Sequence, residues 1–161
     1  MRLLVLRHAR AAPPSPEGDD AARALTAEGE RRFRDAARHI ARLVPRPDAL
    51  LTSPLLRARQ TAAILAAAWG DIHPALEPVL SAGSVDRIMA VLENHPRDAT
   101  VVLVGHEPTV SALVAGFVGA HGEAVAFEPG GAALLEVTSV SRGGGCLVWF
   151  LGPDAAAPTG A

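Results

Sequence analysis

Apolar residues gather along this chain in two patterns: short continuous runs, and longer stretches with a helical period. Leu3-Leu4-Val5-Leu6 and Val101-Val102-Leu103-Val104 are continuous runs, which suit strands covered on both faces, as in a parallel sheet. Residues 48–52 predict another short strand and residues 75–79 a weaker one. The periodic stretches lie between these runs. Thr26 predicts an N-cap, with Glu28 and Glu30 in the positive first turn of a helix. Phe33, Ala36, Ala37, Ile40, Ala41 and Val44 then form one apolar face, and Pro45 and Pro47 end it. Ser53-Pro54 reads as the start of a second helix, with Ser as cap and Pro at the first helical position, running to Trp69 before Gly70. Ser84 caps a third, striped by Val85, Ile88, Met89 and Leu92. Pro108 opens a fourth, with Val110, Leu113, Val114, Phe117 and Val118 at helical spacing.

The last third changes character. Residues 132–140 and 146–151 are strand-like and separated by the glycine-rich stretch 142–145, which predicts a hairpin. Strands alternating with helices imply an α/β fold: a three-layer sandwich whose mostly parallel central sheet is flanked by helices, with a C-terminal antiparallel hairpin at the edge. The chain has 161 residues, enough for one core. We expect a single domain over residues 1–152 and a flexible tail over 153–161.

Composition narrows the partners. Apolar residues make up 49% and charged residues 20%, and the formal net charge is −2. That is a globular balance without the global basic field of nucleic-acid binders. No segment reaches the roughly 18 uninterrupted apolar residues of a membrane span. Cys146 is the only cysteine, so neither an intrachain disulfide nor a thiolate cluster can form, and a reducing compartment follows. Its place at the start of a strand predicts a buried, small apolar residue. The expectation is a soluble, cytoplasmic protein with no nucleic-acid or membrane partner.

In parallel sheets, ligands bind beyond the carboxyl ends of the strands. The first strand runs into Arg7-His8. The second runs into Thr52-Ser53-Pro54, with Arg57 one helical turn later, and the strong later strand runs into Gly105-His106-Glu107-Pro108. Two histidines and two arginines therefore fall at one rim. Singly these signals are weak: an Arg-His pair is common, a helical arginine is usually a solvated charge, and a Gly-His after a strand can be a plain turn. The joint arrangement carries the inference. A neutral imidazole can attack phosphorus, giving a phosphohistidine that water hydrolyses. Two guanidiniums can grip the non-bridging oxygens in paired planar hydrogen bonds, and a second imidazole and a helix N-terminus complete the clamp. Positioning and electrostatics do most of the work in phosphoryl transfer, so the set requires no metal and no cofactor. His39, His73, His95 and His121 show no metal-ligand spacing and read as surface residues.

These stretches resemble the histidine phosphatase superfamily, the phosphoglycerate-mutase-like group, and within it the short SixA-type phosphohistidine phosphatases. The matching segments are LLVLRHA at 3–9, RALTAEG at 23–29, LTSPLLRARQTAA at 51–63, VLVGHEP at 102–108 and WFLGP at 149–153, spread over almost the whole chain. The resemblance implies that His8 accepts the phosphoryl group, that His106 is the second pocket histidine, and that Arg7 and Arg57 form the clamp. Arg23 matches the arginine before the LT pair in SixA-type members; its alternative is a solvated loop charge. Thr26 reads as a helix cap, and Ser53 as a cap that can also face the pocket.

Two departures matter. The family's commonest triplet is Arg-His-Gly, and here Ala9 takes the third place. The general acid that protonates a leaving oxygen is not evident either. Glu77 is the candidate donor, but the pattern sets it inside the strand over 75–79, with Ser81 beyond the end. Glu107 reads as a residue that caps the next helix or orients a pocket group. An alkoxide needs a proton in the transition state, whereas a phosphoramidate nitrogen can carry its own. A strong clamp without a dedicated acid therefore favours phosphohistidine, and a chain without the long insertions that close over small substrates in mutase-type relatives can admit one displayed on another protein; the resemblance alone implies a histidine phosphotransfer domain as that partner. Two rivals remain. One is a small-molecule phosphomonoesterase, favoured if Glu77 or Glu107 reaches the leaving group. The other is a non-catalytic phosphate-binding regulatory module, which would often lose a histidine; both are present.

Overall fold

The computed structural model describes residues 1–16, 18–70, 72–120 and 125–154. The strands are β1 (Arg2–Arg7), β2 (Ala49–Thr52), β3 (Ala75–Leu76), β4 (Thr100–Gly105), β5 (Ala132–Val137) and β6 (Gly145–Leu151). They form one sheet in the order β3-β2-β4-β1-β5-β6. The β1–β4, β2–β4 and β2–β3 pairs are parallel. The β1–β5 and β5–β6 pairs are antiparallel, so the C-terminal hairpin closes one edge as expected.

The continuous apolar runs are explained by their position. In β1, successive side chains point to opposite faces, and both faces are covered. Leu3 and Val5 join Val101 and Leu103 under α4 (Val85–Leu92) and α5 (Thr109–Val118), packing with Ile88, Leu92, Leu113 and Phe117. Leu4 and Leu6 join Val102 and Val104 under α1 (Ala27–Leu43) and α2 (Leu56–Ala68), packing with Phe33, Ile40, Ala62 and Leu65. Each such side chain removed from water contributes on the order of 1.5–3 kcal/mol. The three-layer sandwich is thus present, with a core on each side of the sheet.

Helix α1 starts as its sequence predicts. The Thr26 hydroxyl accepts the Gly29 N–H at 3.0 Å, satisfying one of the free donors of the first turn. Gly29 is also required for space: a Cβ there would stand 2.2 Å from the Arg10 carbonyl oxygen. The first turn of α1 therefore presses directly on the loop that leaves His8.

Several expectations need correction. Helix α2 begins at Leu56 with Leu55 as a cap lacking any side-chain bond, so Ser53 and Pro54 precede it. The proline holds Ser53 in an extended conformation, and the serine hydroxyl is engaged elsewhere. The weak strand shrinks to Ala75–Leu76, and Val79 instead opens a short helix α3 (Val79–Ala82). Glu77 thus stands past the strand's end, not inside it. Strand β5 stops at Val137 rather than at 140. Cys146 is exposed, because β6 is an edge strand that alternates between half-buried and exposed positions. Of the expected tail, Asp154 pairs with Arg32, while 155–161 lie outside the described residues, as does His121. No helix among the described residues is long and apolar enough to cross a membrane.

Candidate active site

The carboxyl ends of the strands are tied together one residue beyond the sheet. The His8 N–H donates to the Gly105 carbonyl at 3.0 Å, the Ser53 N–H to the Val104 carbonyl at 3.0 Å, and the Glu77 N–H to the Thr52 carbonyl at 2.8 Å. Register thus sets His8, Ser53 and His106 side by side. The His8 and His106 ring centroids lie 5.0 Å apart, and the two residues are only 9% and 8% exposed.

His8 Nδ1 lies 2.7 Å from the Ala9 carbonyl oxygen. A carbonyl can only accept, so Nδ1 carries the proton and Nε2 keeps its lone pair. Burial lowers the His8 pKa to about 4, aided by the charges of Arg57, Arg7 and Arg23 and opposed by the Ala9 hydrogen bond. The ring is neutral at neutral pH, as a nucleophile requires. The loop is held from below as well. The Ala9 N–H donates to Thr61 Oγ1 at 3.0 Å, and that hydroxyl donates to the Arg57 carbonyl at 2.7 Å.

His106 Nε2 lies 2.8 Å from Ser53 Oγ, which also accepts the Leu55 N–H at 3.3 Å. This is the bond that diverts Ser53 from the expected cap. Burial, followed by the charges of His8 and Arg57, lowers the His106 pKa to about 3. Its Nδ1 is buried without a partner.

Both rim arginines are pinned at the tip. Arg7 donates through Nη1 to the Phe127 carbonyl at 2.6 Å. Arg57, 5% exposed, donates through Nη1 to the Asp20 carbonyl at 2.7 Å and through Nη2 to the Asp20 carboxylate at 3.0 Å. The Nε of each arginine is buried and unpartnered. An orphaned buried donor costs about 1–3 kcal/mol, and among the described residues all three such side-chain atoms, the two Nε and His106 Nδ1, belong to this rim. Together they suit an anion with several acceptor oxygens. Arg23 joins the group through its charge on both histidines and donates to Asp20 at 2.7 Å and to the Ala12 carbonyl at 2.9 Å.

The two glutamates are engaged as acceptors. Glu77 Oε1 accepts the Val79 N–H at 3.2 Å, and Glu107 Oε1 accepts the Ser111 hydroxyl and the Phe127 N–H. Glu107 therefore orients the segment that pins Arg7, and among the described residues no hydrogen bond joins Glu77 to either histidine. No cluster of three or more His, Cys, Asp or Glu side chains able to hold a metal occurs among the described residues.

Sequence reasoning missed Asp20 and Thr61, and also Gln60, whose side chain accepts the Leu25 N–H at 2.8 Å. The QTA of the matched stretch at 51–63 signalled the last two; nothing periodic marks Asp20.

Comparison with known proteins identifies the family. Residues 3–83 match the model of the histidine phosphatase superfamily (branch 1). An uncharacterised protein of Picosynechococcus sp. (strain PCC 7002) is 40% identical over 130 residues, covering 79% of this chain and 74% of that protein. Among solved structures, the protein histidine phosphatase SixA in complex with tungstate superposes with a TM-score of 0.84 at 25% identity, over 95% of this chain and 97% of that one. A second protein bearing the SixA name, from Agrobacterium tumefaciens, gives 0.79 at 26% identity, over 94% and 98%. A sheet whose strand ends gather two histidines and two tip-pinned arginines, in a chain with these matches, places it in the histidine phosphatase superfamily as a phosphatase.

Proposed function

We propose that this phosphatase works through a phosphohistidine intermediate on His8 and that its substrate is phosphohistidine on another protein. Nε2 of the neutral ring attacks phosphorus as the substrate's P–N bond breaks, its electron pair leaving on an imidazole already protonated at the other ring nitrogen so that a neutral ring departs, and water then hydrolyses the phosphoenzyme. The Nε–H groups of Arg7 and Arg57 and the free edge of His106 hold the non-bridging oxygens, and Arg23 adds positive charge at the mouth. No step calls for a metal or cofactor. The observation that carries the nucleophile is the Nδ1 contact with Ala9, which leaves Nε2 free in a buried, neutral ring.

The substrate class rests on the carboxylates. Glu77 and Glu107 are taken as backbone acceptors. Asp20 is held ionised below the usual carboxylate range by its hydrogen bond from Arg57. None is poised to protonate an alkoxide, which an unactivated ester needs; a phosphohistidine nitrogen does not. Two turns of the rim are the short three-residue links 53–55 and 106–108, which suit approach by a histidine displayed on a partner such as a histidine phosphotransfer domain. A cytoplasmic setting accords with the exposed lone thiol of Cys146.

The test compares a phosphohistidine-bearing protein with p-nitrophenyl phosphate under a metal chelator, for the wild type and Glu77→Gln. The expected result is rapid clearance of phosphohistidine by both proteins and slow cleavage of the ester. A 100-fold loss of phosphohistidine hydrolysis in Glu77→Gln, or preference for a small phosphomonoester, would favour the phosphomonoesterase reading. Binding without turnover of either substrate would favour a phosphate-binding regulatory module.

A further inference from the structure

Arg57 is nearly sealed from solvent, yet the residue that holds it lies on an exposed loop. Asp20 begins the short 3-10 helix Asp20–Ala22 between β1 and α1, and its side chain is 59% exposed. Asp19 caps that turn, accepting the Ala21 N–H at 2.9 Å, so Asp20 sits in a built segment. It engages Arg57 twice, taking Nη1 on its backbone oxygen and Nη2 on Oδ2. Its other carboxylate oxygen takes Arg23 Nε at 2.7 Å.

A guanidinium is a rigid plane with five N–H donors. Fixing both Nη groups on one residue fixes that plane and leaves the Nε–H edge as the only free one. In Arg57 that Nε is buried and unpartnered, and its charge lowers the His8 pKa more than that of Arg7 or Arg23. Arg7 repeats the arrangement, with Nη1 on a loop carbonyl and a buried free Nε. We infer that Asp20 is a positioning residue for the phosphate clamp, orienting the Nε edge of Arg57 toward the phosphoryl site beside His8 and coupling Arg23 to the same carboxylate.

The sign of the effect separates this role from simple competition. Removing a negative charge from a site with three arginines would, by Coulomb attraction alone, tighten anion binding. Positioning demands the opposite, because charge-assisted bidentate hydrogen bonds depend on a held geometry. The proposal builds on the phosphatase reading of the site, and the experiment separates the two.

Tungstate binding is measured by calorimetry for the wild type, Asp20→Ala and Asp20→Asn, with thermal unfolding alongside, and hydrogen exchange of the Arg57 Nε–H is followed by 1H–15N NMR. Asp20→Ala should bind tungstate about 10- to 100-fold more weakly, and Asp20→Asn should fall between it and the wild type. Asp20→Asn should keep its unfolding midpoint close to wild type, since the amide oxygen can still accept from Arg57, whereas Asp20→Ala leaves Arg57 Nη2 without its acceptor and should lower the midpoint slightly. The Arg57 Nε–H should exchange slowly in the wild type and quickly in Asp20→Ala. Unchanged or tighter tungstate binding in Asp20→Ala would overturn the inference. If the wild type binds no tungstate, the phosphate-site reading fails by itself; an Arg57 signal equally protected in both proteins would then overturn the positioning role separately.

Discussion

The middle of the sheet and its carboxyl rim belong to the same strands, yet they obey opposite rules. From Leu3 to Leu6 and from Val101 to Val104 every side chain is apolar and at most 1% exposed. At the rim these strands and β2 present His8, Thr52, Ser53 and His106, at most 9% exposed but polar, with half-buried Arg7 beside them. All the unpartnered buried side-chain donors of the described residues lie there. The interior is apolar throughout, whereas the rim holds hydrogen-bonding capacity that suits an anion. Stability and activity should therefore separate along the strands, at the point where apolar residues give way to polar ones.

Four changes probe that separation. The largest effect is expected from His8→Ala, which should lower kcat/KM by about 10⁴-fold or more while leaving the unfolding transition close to wild type. Loss of activity with a matching loss of stability would blur the contrast. Next, Arg57→Ala should cost about 10²- to 10³-fold in kcat, the scale for removing a preorganised charge-stabilising donor. Leu103→Ala should do the reverse: about 2–5 kcal/mol less stability by denaturant unfolding, with kcat of the folded fraction retained. The smallest effect is expected from Ser53→Ala, about 10-fold in kcat, on the scale of one hydrogen bond. That change should also randomise the His106 tautomer seen by 15N NMR.

Acidity sharpens the same contrast. Because the His8 pKa is about 4 in the folded protein and near 6.5 when unfolded, the unfolded chain binds more protons between these values. Stability should therefore fall as pH drops from about 6.5 towards 4, and His8→Ala should make that slope shallower. For the wild type, kcat/KM should hold above pH 5 and decline as His8 protonates near 4.

Legibility in the sequence followed the same division. The runs of β1 and β4 and the face of α1 were readable because burial on both sides of a sheet, or on one side of a helix, imposes a pattern on neighbouring residues. The rim is readable where strand ends carry chemistry directly, so Arg7, His8 and His106 lie at the strand ends where the sequence puts them, with Arg57 one turn into its helix. Contacts made across the fold were not. Asp20 lies in a loop of Pro, Ser, Asp and Gly whose meaning arises only when it meets Arg57, 37 positions away. Ser53 satisfied every local rule for a cap but is held by His106, so tertiary contact overrode local preference. Strand β3, two exposed residues long, has too little burial to mark its end, so the weak strand read over 75–79 runs past it.

The central claim is that His8 becomes phosphorylated during turnover, and trapping tests it most directly. The wild type would be mixed with a phosphohistidine-bearing protein, quenched in alkali within milliseconds, digested and analysed by mass spectrometry, with His8→Ala in parallel. The account predicts an alkali-stable, acid-labile phosphoryl group on the His8 peptide, transient in the wild type and absent from the variant. Steady turnover with no label on His8, or label on another residue that persists in His8→Ala, would contradict it.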